Sequence, residues 1–239
     1  MRQKGYFVTD KAFYNSEGPH TLHITRKPGG SSLMPPHGRA EAFVLGDLRR
    51  RDVVDRVSVD CTTIEQFCSL NNLDLDILKI DVQGSEYEIL SKLGNVRPVI
   101  IKTEISLEEI YQNQKLLWDV VNLLRPLGYF VGDAFPGPRP LPPAYRNPRQ
   151  TRVSRGIPIH GDVMFLPNWF STAGKAIIQN KPLQFAAALL IWGKEDLLRY
   201  FIDSDIFQSQ HLSKIRHALT KEAKSYNLRK YKKFENHLD

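Results

Sequence analysis

Polar and apolar positions alternate at Thr21-Leu22-His23-Ile24-Thr25, the spacing of a half-exposed strand. Gly5-Tyr6-Phe7-Val8-Thr9 predicts an earlier strand, and Asn15-Ser16-Glu17-Gly18-Pro19 a turn between the two. Lys27-Pro28-Gly29-Gly30-Ser31-Ser32 reads as a loop, either a connector or a source of backbone amides for a ligand. Val57-Ser58-Val59-Asp60-Cys61 predicts a short strand. Thr62 with Glu65 three residues later forms a capping box. The helix it opens carries Ile64, Phe67 and Cys68 on one side and stops at Asn71-Asn72.

Ile77, Leu78, Ile80 and Val82 put apolar side chains on both faces, the pattern of a central parallel strand. Gly84 permits a sharp turn and Ser85 caps the next helix, which carries Tyr87, Ile89, Leu90 and Leu93. Val99-Ile100-Ile101-Lys102-Thr103-Glu104 repeats the design, with an acid at its far end. Ile110, Leu116, Leu117, Val120, Val121, Leu123 and Leu124 predict an amphipathic helix from Leu107 to Leu127, closed by Pro126 and Gly128. Tyr129-Phe130-Val131 and Asp162-Val163-Met164-Phe165-Leu166 are strands expected to be neighbours. Strand, helix, strand, helix, strand joined by right-handed crossovers is the order of a doubly wound α/β sheet. Phe135 to Pro143 holds five prolines in nine positions and reads as a stiff surface loop. Lys175 to Asp239 reads as helical throughout, striped by Leu189, Leu190, Leu197, Leu198, Phe201 and Ile202. The predicted division is an α/β domain over 1–170 and a helical basic extension over 171–239.

Composition narrows the class. The chain has 239 residues, 41% apolar and 25% charged, enough for one full core and an appendage. Its only cysteines, Cys61 and Cys68, make no disulfide framework and read as buried, inert thiols in a reducing compartment. No run reaches the roughly 20 apolar residues a membrane span needs, and no apolar stretch follows the basic start as in a signal peptide. A soluble cytoplasmic protein is the expectation. Net charge is +7, and from Lys214 to Asp239 eight Lys/Arg stand against three Asp/Glu, so +5 lies in that tail. A run of this kind is ordinarily a solvated helix face, so nucleic acid is not the favoured partner.

The chemistry concentrates at two strand ends. Ligands of open parallel sheets bind beyond the carboxyl ends of the strands, where Asp81 and Glu104 are expected. Paired carboxylates there serve as general base, metal ligands or cofactor anchors. Lys79 and Lys102, two residues earlier, share their faces by alternation, so ion pairing competes with catalysis. Glu86 falls in a first helical turn, where an acid also suits the helix dipole. His160 stands at the start of the last strand. His20 and His23 are three apart without further ligands, so no metal site is expected, and no Walker loop, GxSxG, HExxH or GxGxxG occurs.

Asp60-Cys61-Thr62-Thr63-Ile64, followed by Leu75-Asp76-Ile77-Leu78-Lys79-Ile80-Asp81-Val82-Gln83-Gly84-Ser85-Glu86-Tyr87-Glu88-Ile89-Leu90, resembles the signature region of the FkbM-type methyltransferases. Ala12 to Gly18, Ser31-Ser32-Leu33, Ile101 to Glu104, Gly128-Tyr129 and Gly161 to Phe165 resemble further family segments, in the family's order, over roughly residues 6–167. The resemblance implies a class I, Rossmann-like methyltransferase fold and S-adenosylmethionine as donor. It implies O-methylation of a sugar or small-molecule hydroxyl. Asp81, Glu104 and His160 become the candidate catalytic residues. Ala12, Tyr14, Asp81, Gln83 and Gly84 become the candidate cofactor contacts. The family's first two strands and the glycine loop that cradles the methionine are expected to fall before Tyr6. The sheet would then lack its first strands and expose an edge prone to self-association. The alternative is a non-catalytic remnant or interaction module of the same fold.

Overall fold

The computed structural model of the chain describes residues 2–3, 6–37, 49, 51–136, 159–204, 206–207 and 210–217. The proline-rich run beyond residue 136 and the basic tail beyond residue 217 lie outside the described residues. The chain divides into two compact units, Met1–Leu166 and Pro167–Asp239.

In the first unit, β1 (Arg2–Gln3) pairs antiparallel with β2 (Tyr6–Phe7). β3 (Ala12–Phe13), β4 (Gly18–Thr25) and β5 (Val53–Thr62) form a three-stranded sheet. β5 lies at its centre, parallel to β3 and antiparallel to β4. α1 (Ile64–Asn71) follows. Its cap is Thr63 rather than Thr62: Thr63 Oγ1 accepts from the Gln66 amide at 3.2 Å. Thr62 stays in β5, where its cross-strand pairing holds it extended. Asn72 ends the helix in the left-handed region, at φ 51°.

The four-stranded sheet comprises β6 (Ile77–Ile80), β7 (Ile100–Ser106), β8 (Tyr129–Pro136) and β9 (His160–Pro167), in the order β6-β7-β9-β8. α2 (Glu86–Leu90) and α3 (Leu117–Leu124) lie between these strands in sequence. The α/β class is as the sequence predicts, but the sheet is mixed. β6 and β7 run parallel, while β9 enters antiparallel beside β7. Burial explains where each strand sits. β7 and β9 have nearly every position covered on both faces and occupy the centre. β6 is not the central strand its apolar run suggests: among the described residues it lies at the sheet's edge, and Ile77 and Val82 are exposed. Ile89, Leu90, Leu93, Ile100, Ile101, Leu124 and Phe165 are fully buried around these central strands. Each such side chain contributes about 1.5–3 kcal/mol relative to exposure. Cys61 and Cys68 are buried free thiols.

The long helix expected from Leu107 to Leu127 is only its second half, α3. Residues 107–116 form a loop because a side chain captures its backbone. Gln114 Oε1 accepts from the amides of Ile110 and Tyr111, at 2.9 and 3.2 Å, and Gln114 Nε2 donates to Ser106 Oγ at 2.8 Å. The apolar residues counted towards the helix serve another purpose. Ile110 and Tyr111 pack with Met34 and Ile159.

In the second unit, α4 (Thr172–Asn180), α5 (Pro182–Ile191), α6 (Glu195–Ile202) and a helical stretch at 210–217 make up most of the described part of the stretch expected to be helical from Lys175 onward. Ser171 caps α4, accepting from the Gly174 amide at 3.1 Å. Gly193, at φ 65°, ends α5 by a turn that favours glycine. Phe185, Phe201 and Phe207 form the unit's aromatic core. No helix among the described residues is long and apolar enough to cross a membrane.

Candidate active site

The register of the four-stranded sheet builds a ladder of charge. Lys79 lies opposite Lys102 on the parallel pair β6–β7, and Glu104 lies opposite Asp162 on the antiparallel pair β7–β9. Like charges directly opposite repel, so each needs a partner, and the diagonal neighbours supply two. Lys102 Nζ reaches Asp162 Oδ2 at 2.7 Å, and His160 Nδ1 reaches Glu104 Oε1 at 2.9 Å. Lys79 pairs along its own strand with Asp81, at 3.2 Å. That pair is more than half exposed and contributes little to stability. Glu104 is not at its strand end as the sequence suggests; β7 runs on to Ser106, because Ser106 pairs with His160. Asp81 does stand just past the end of β6.

Gln83 joins the two strands' acids. Its Nε2 lies 3.5 Å from Asp81 Oδ1 and 3.4 Å from Glu104 Oε2, so Asp81, Gln83, Glu104 and His160 form one polar chain. Gln83 holds this place in the left-handed region, at φ 62°, which a non-glycine residue rarely adopts. The hydrogen bond from His160 to Glu104 raises the imidazole pKa above its ordinary value. Desolvation and the charge of Arg51 oppose that rise, and Asp162 adds to it. With Nδ1 turned to the carboxylate, Nε2 is the nitrogen that can take a proton from a substrate.

The turn after β6 is held from beneath by Glu86. One carboxylate oxygen accepts the Val82 amide at 3.2 Å and the other the Gly84 amide at 2.9 Å. This is a larger role than the helix-dipole partner expected of Glu86. Ser85 is the N-cap residue, but its hydroxyl makes no capping bond and is buried without a hydrogen-bond partner among the described residues. Glu86 is 5% exposed, and burial pushes its carboxyl pKa up to about 7 despite the two amide donors. A raised folded-state pKa means the protonated form is favoured by folding. That contribution is fully present below the unfolded value near 4.5 and is lost as pH climbs through about 7. Its size is on the order of 3 kcal/mol. Urea denaturation across pH 4.5–7.5 is therefore expected to show stability falling with pH. Glu86→Gln, which cannot ionise, should flatten that slope; an unchanged slope in the variant would assign it to other groups.

Gly84 packs under Tyr111. A Cβ at Gly84 would meet Tyr111 Cδ2 at 2.4 Å, and Gly84 sits at φ 103°. Tyr111 is 2% exposed, donates its hydroxyl to the Gly30 carbonyl at 3.0 Å, and lies against the guanidinium of Arg51. Burial raises the Tyr111 pKa, and Arg51 opposes that shift. The 107–116 loop, the Gly29-Gly30 loop and the turn after β6 thus meet on one ring. Gly84 contributes close packing, and its amide is already engaged by Glu86.

An open, largely apolar groove of about 380 Å3 runs along β6. Phe13, Ile64, Phe67, Leu78 and Ile89 line it, with Lys79 and Asp81 also in its wall. Phe13 and Phe67 meet edge to face at 5.2 Å. Between Ala12 and Tyr14, the two residues carried over there, Phe13 lines this groove. Ala12 pairs with Cys61 of β5, and Tyr14 donates its amide to the Thr62 carbonyl and meets His20 edge to face at 4.8 Å. His20 also lies 3.1 Å from Ser16 Oγ. Among the described residues no group of three or more His, Cys, Asp or Glu is arranged to hold a metal ion.

The structure thus joins Asp81, Gln83, Glu104 and His160, with Gly84 next to Gln83 in the turn and packed against Tyr111. Sequence reasoning passed over Arg51, Tyr111, Gln114 and Phe13. Only Phe13 carried a local signal, as the apolar centre of a short strand. No curated protein and no solved structure matches the chain. A family model described as the methyltransferase FkbM domain matches residues 9–131, which include β3 to β7, the turn after β6 and the 107–116 loop. On that match over more than half its length, the chain belongs to the FkbM methyltransferase family.

Proposed function

We propose that this chain transfers a methyl group from S-adenosylmethionine to a hydroxyl of a small molecule or glycan, with His160 as general base, Glu104 as its orienting partner and Asp81 at the transfer site. The observation that carries the proposal is the 2.9 Å bond between His160 Nδ1 and Glu104, on one polar chain with Asp81. A hydroxyl acceptor must lose its proton as it attacks, and a neutral imidazole held by a carboxylate does that work near neutral pH. When bound, the cofactor supplies an electrophilic methyl group. The groove along β6 fits its chemistry in kind: apolar and aromatic walls for a purine, and the Asp81 carboxylate for hydroxyls or a positive centre. Gln83 keeps the Asp81 and Glu104 carboxylates at a fixed separation. Most of the rate gain would come from such positioning.

Calorimetric titration with S-adenosylhomocysteine tests the cofactor. Saturable binding is expected, weakened by Asp81→Asn. No detectable heat at millimolar ligand would rule out cofactor use by this chain alone. A second reading, an interaction module without catalysis, draws on the edge position of β6 and its exposed Ile77 and Val82. It gains ground if the titration is silent and sedimentation shows a dimer.

A further inference from the structure

Arg51 stands two residues ahead of β5, outside every motif in the sequence. Its guanidinium carbon lies 5.1 Å from the centre of the Tyr111 ring, a cation–π contact. Its Nη1 is buried and has no hydrogen-bond partner among the described residues. That ring packs on Gly84, next in the chain to Gln83, which bonds Asp81 and Glu104, so the guanidinium lies close to the polar chain, and its charge opposes the rise in the His160 pKa. Four acids lie in this part of the unit: Asp81, Glu86, Glu104 and Asp162. Yet each is engaged elsewhere, by Lys79, by the turn amides, by His160 and by Lys102. Among the described residues Arg51 has no ion pair with any of them.

A permanently charged fork with a buried, unused donor is costly unless something accepts from it. The group that best matches a guanidinium is planar or tetrahedral, carries two oxygens and is negative. We propose that Arg51 is a binding residue for an anionic oxygen group, a phosphate or carboxylate, that a ligand brings alongside the Glu104–His160 pair. The inference rests on the methyl-transfer reading only for what that ligand is. Two sources share the chemistry. One is an acceptor that bears a phosphate or carboxylate near its reacting hydroxyl. The other is the carboxylate of the cofactor's methionyl arm. Tyr111 packs against Arg51, and the bond from Tyr111 to the Gly30 carbonyl ties the ring to the Gly29-Gly30 loop.

Inorganic phosphate is the probe, added to the full chain at constant ionic strength with chloride as the control, and thermal denaturation is the readout. A saturable rise in Tm is expected for the wild type. Arg51→Gln should weaken the apparent phosphate affinity about ten- to hundredfold, the loss of one charged hydrogen-bonding group. Arg51→Lys keeps the charge without the fork, should fold if Arg51→Gln does not, and should show an intermediate affinity. No saturable shift in the wild type overturns the proposal, and so does wild-type affinity in either variant. The source is read by repeating the titration with S-adenosylhomocysteine present, and again with 5′-methylthioadenosine, which lacks the carboxylate. Phosphate that still binds beside S-adenosylhomocysteine supports the anionic acceptor. Phosphate displaced by S-adenosylhomocysteine but not by 5′-methylthioadenosine supports the methionyl carboxylate. Should S-adenosylhomocysteine fail to bind at all, the methyl-transfer reading falls while the phosphate result still decides the role of Arg51.

Discussion

Replacing His160 with asparagine is expected to lower kcat for methyl transfer by roughly 10²- to 10⁴-fold, the usual contribution of a positioned general base. Asparagine is close in size but cannot accept the hydroxyl proton, so donor binding should survive while turnover fails. The pH profile separates this role from a structural one. A base must be neutral to work, and the bond to Glu104 raises the His160 pKa. The acidic limb of the wild-type profile should therefore lie above the ordinary imidazole value, with rate rising as pH climbs through it. Glu104→Gln removes the leading cause of that shift, so its acidic limb should move to lower pH. The rate at the plateau should also fall, because the imidazole is no longer held. An acidic limb that stays in place in Glu104→Gln would mean that His160 is not the titrating base, and Asp81 would be the next residue to test.

The largest effect on stability is expected from Gly84→Ala. The added methyl would sit 2.4 Å from Tyr111 Cδ2, well inside contact distance, and the residue would have to hold φ 103°. Overpacking of a buried ring costs about 1–3 kcal/mol, and a positive φ about 1–2 kcal/mol more for a residue with a Cβ. A total near 3 kcal/mol corresponds to a fall in Tm on the order of 10 °C for a unit of this size. Tyr111 cannot easily yield, because its hydroxyl is tied to Gly30. Combining Gly84→Ala with Tyr111→Leu should recover part of the loss, and that coupling isolates the steric share. If Gly84→Ala alone denatures within about 0.5 kcal/mol of the wild type, the close approach of ring and turn is not a constraint on this fold.

The two predictions draw on different levels of the molecule. Gly84 and Asp81 were legible in the sequence because the turn needs a residue free of a Cβ and because an acid ends an apolar run. The Glu104–His160 pair was legible only as two separate candidates, 56 residues apart. Their contact is a diagonal across β7 and β9, and it exists because β9 enters antiparallel next to β7. The run 107–116 misled for a related reason. Its apolar spacing fits a helix, but Gln114 takes its amides and Ser106 anchors Gln114, a bargain no local pattern displays. β6 misled in the opposite direction: apolar on both faces, it lies at an edge.

By itself the sequence determined the α/β class, the order of the main elements, the family and the strand end that carries the candidate residue Asp81. Those properties depend on short-range periodicity, on turn residues and on motifs of a dozen positions. The tertiary structure alone decided strand order, the pairing of Lys102 with Asp162 and of Glu104 with His160, the burial of Glu86, and the meeting of Arg51 with Tyr111. Each of these is a contact between residues distant in sequence or a consequence of desolvation. Both depend on which surfaces the chain brings together, and residue spacing carries no record of that.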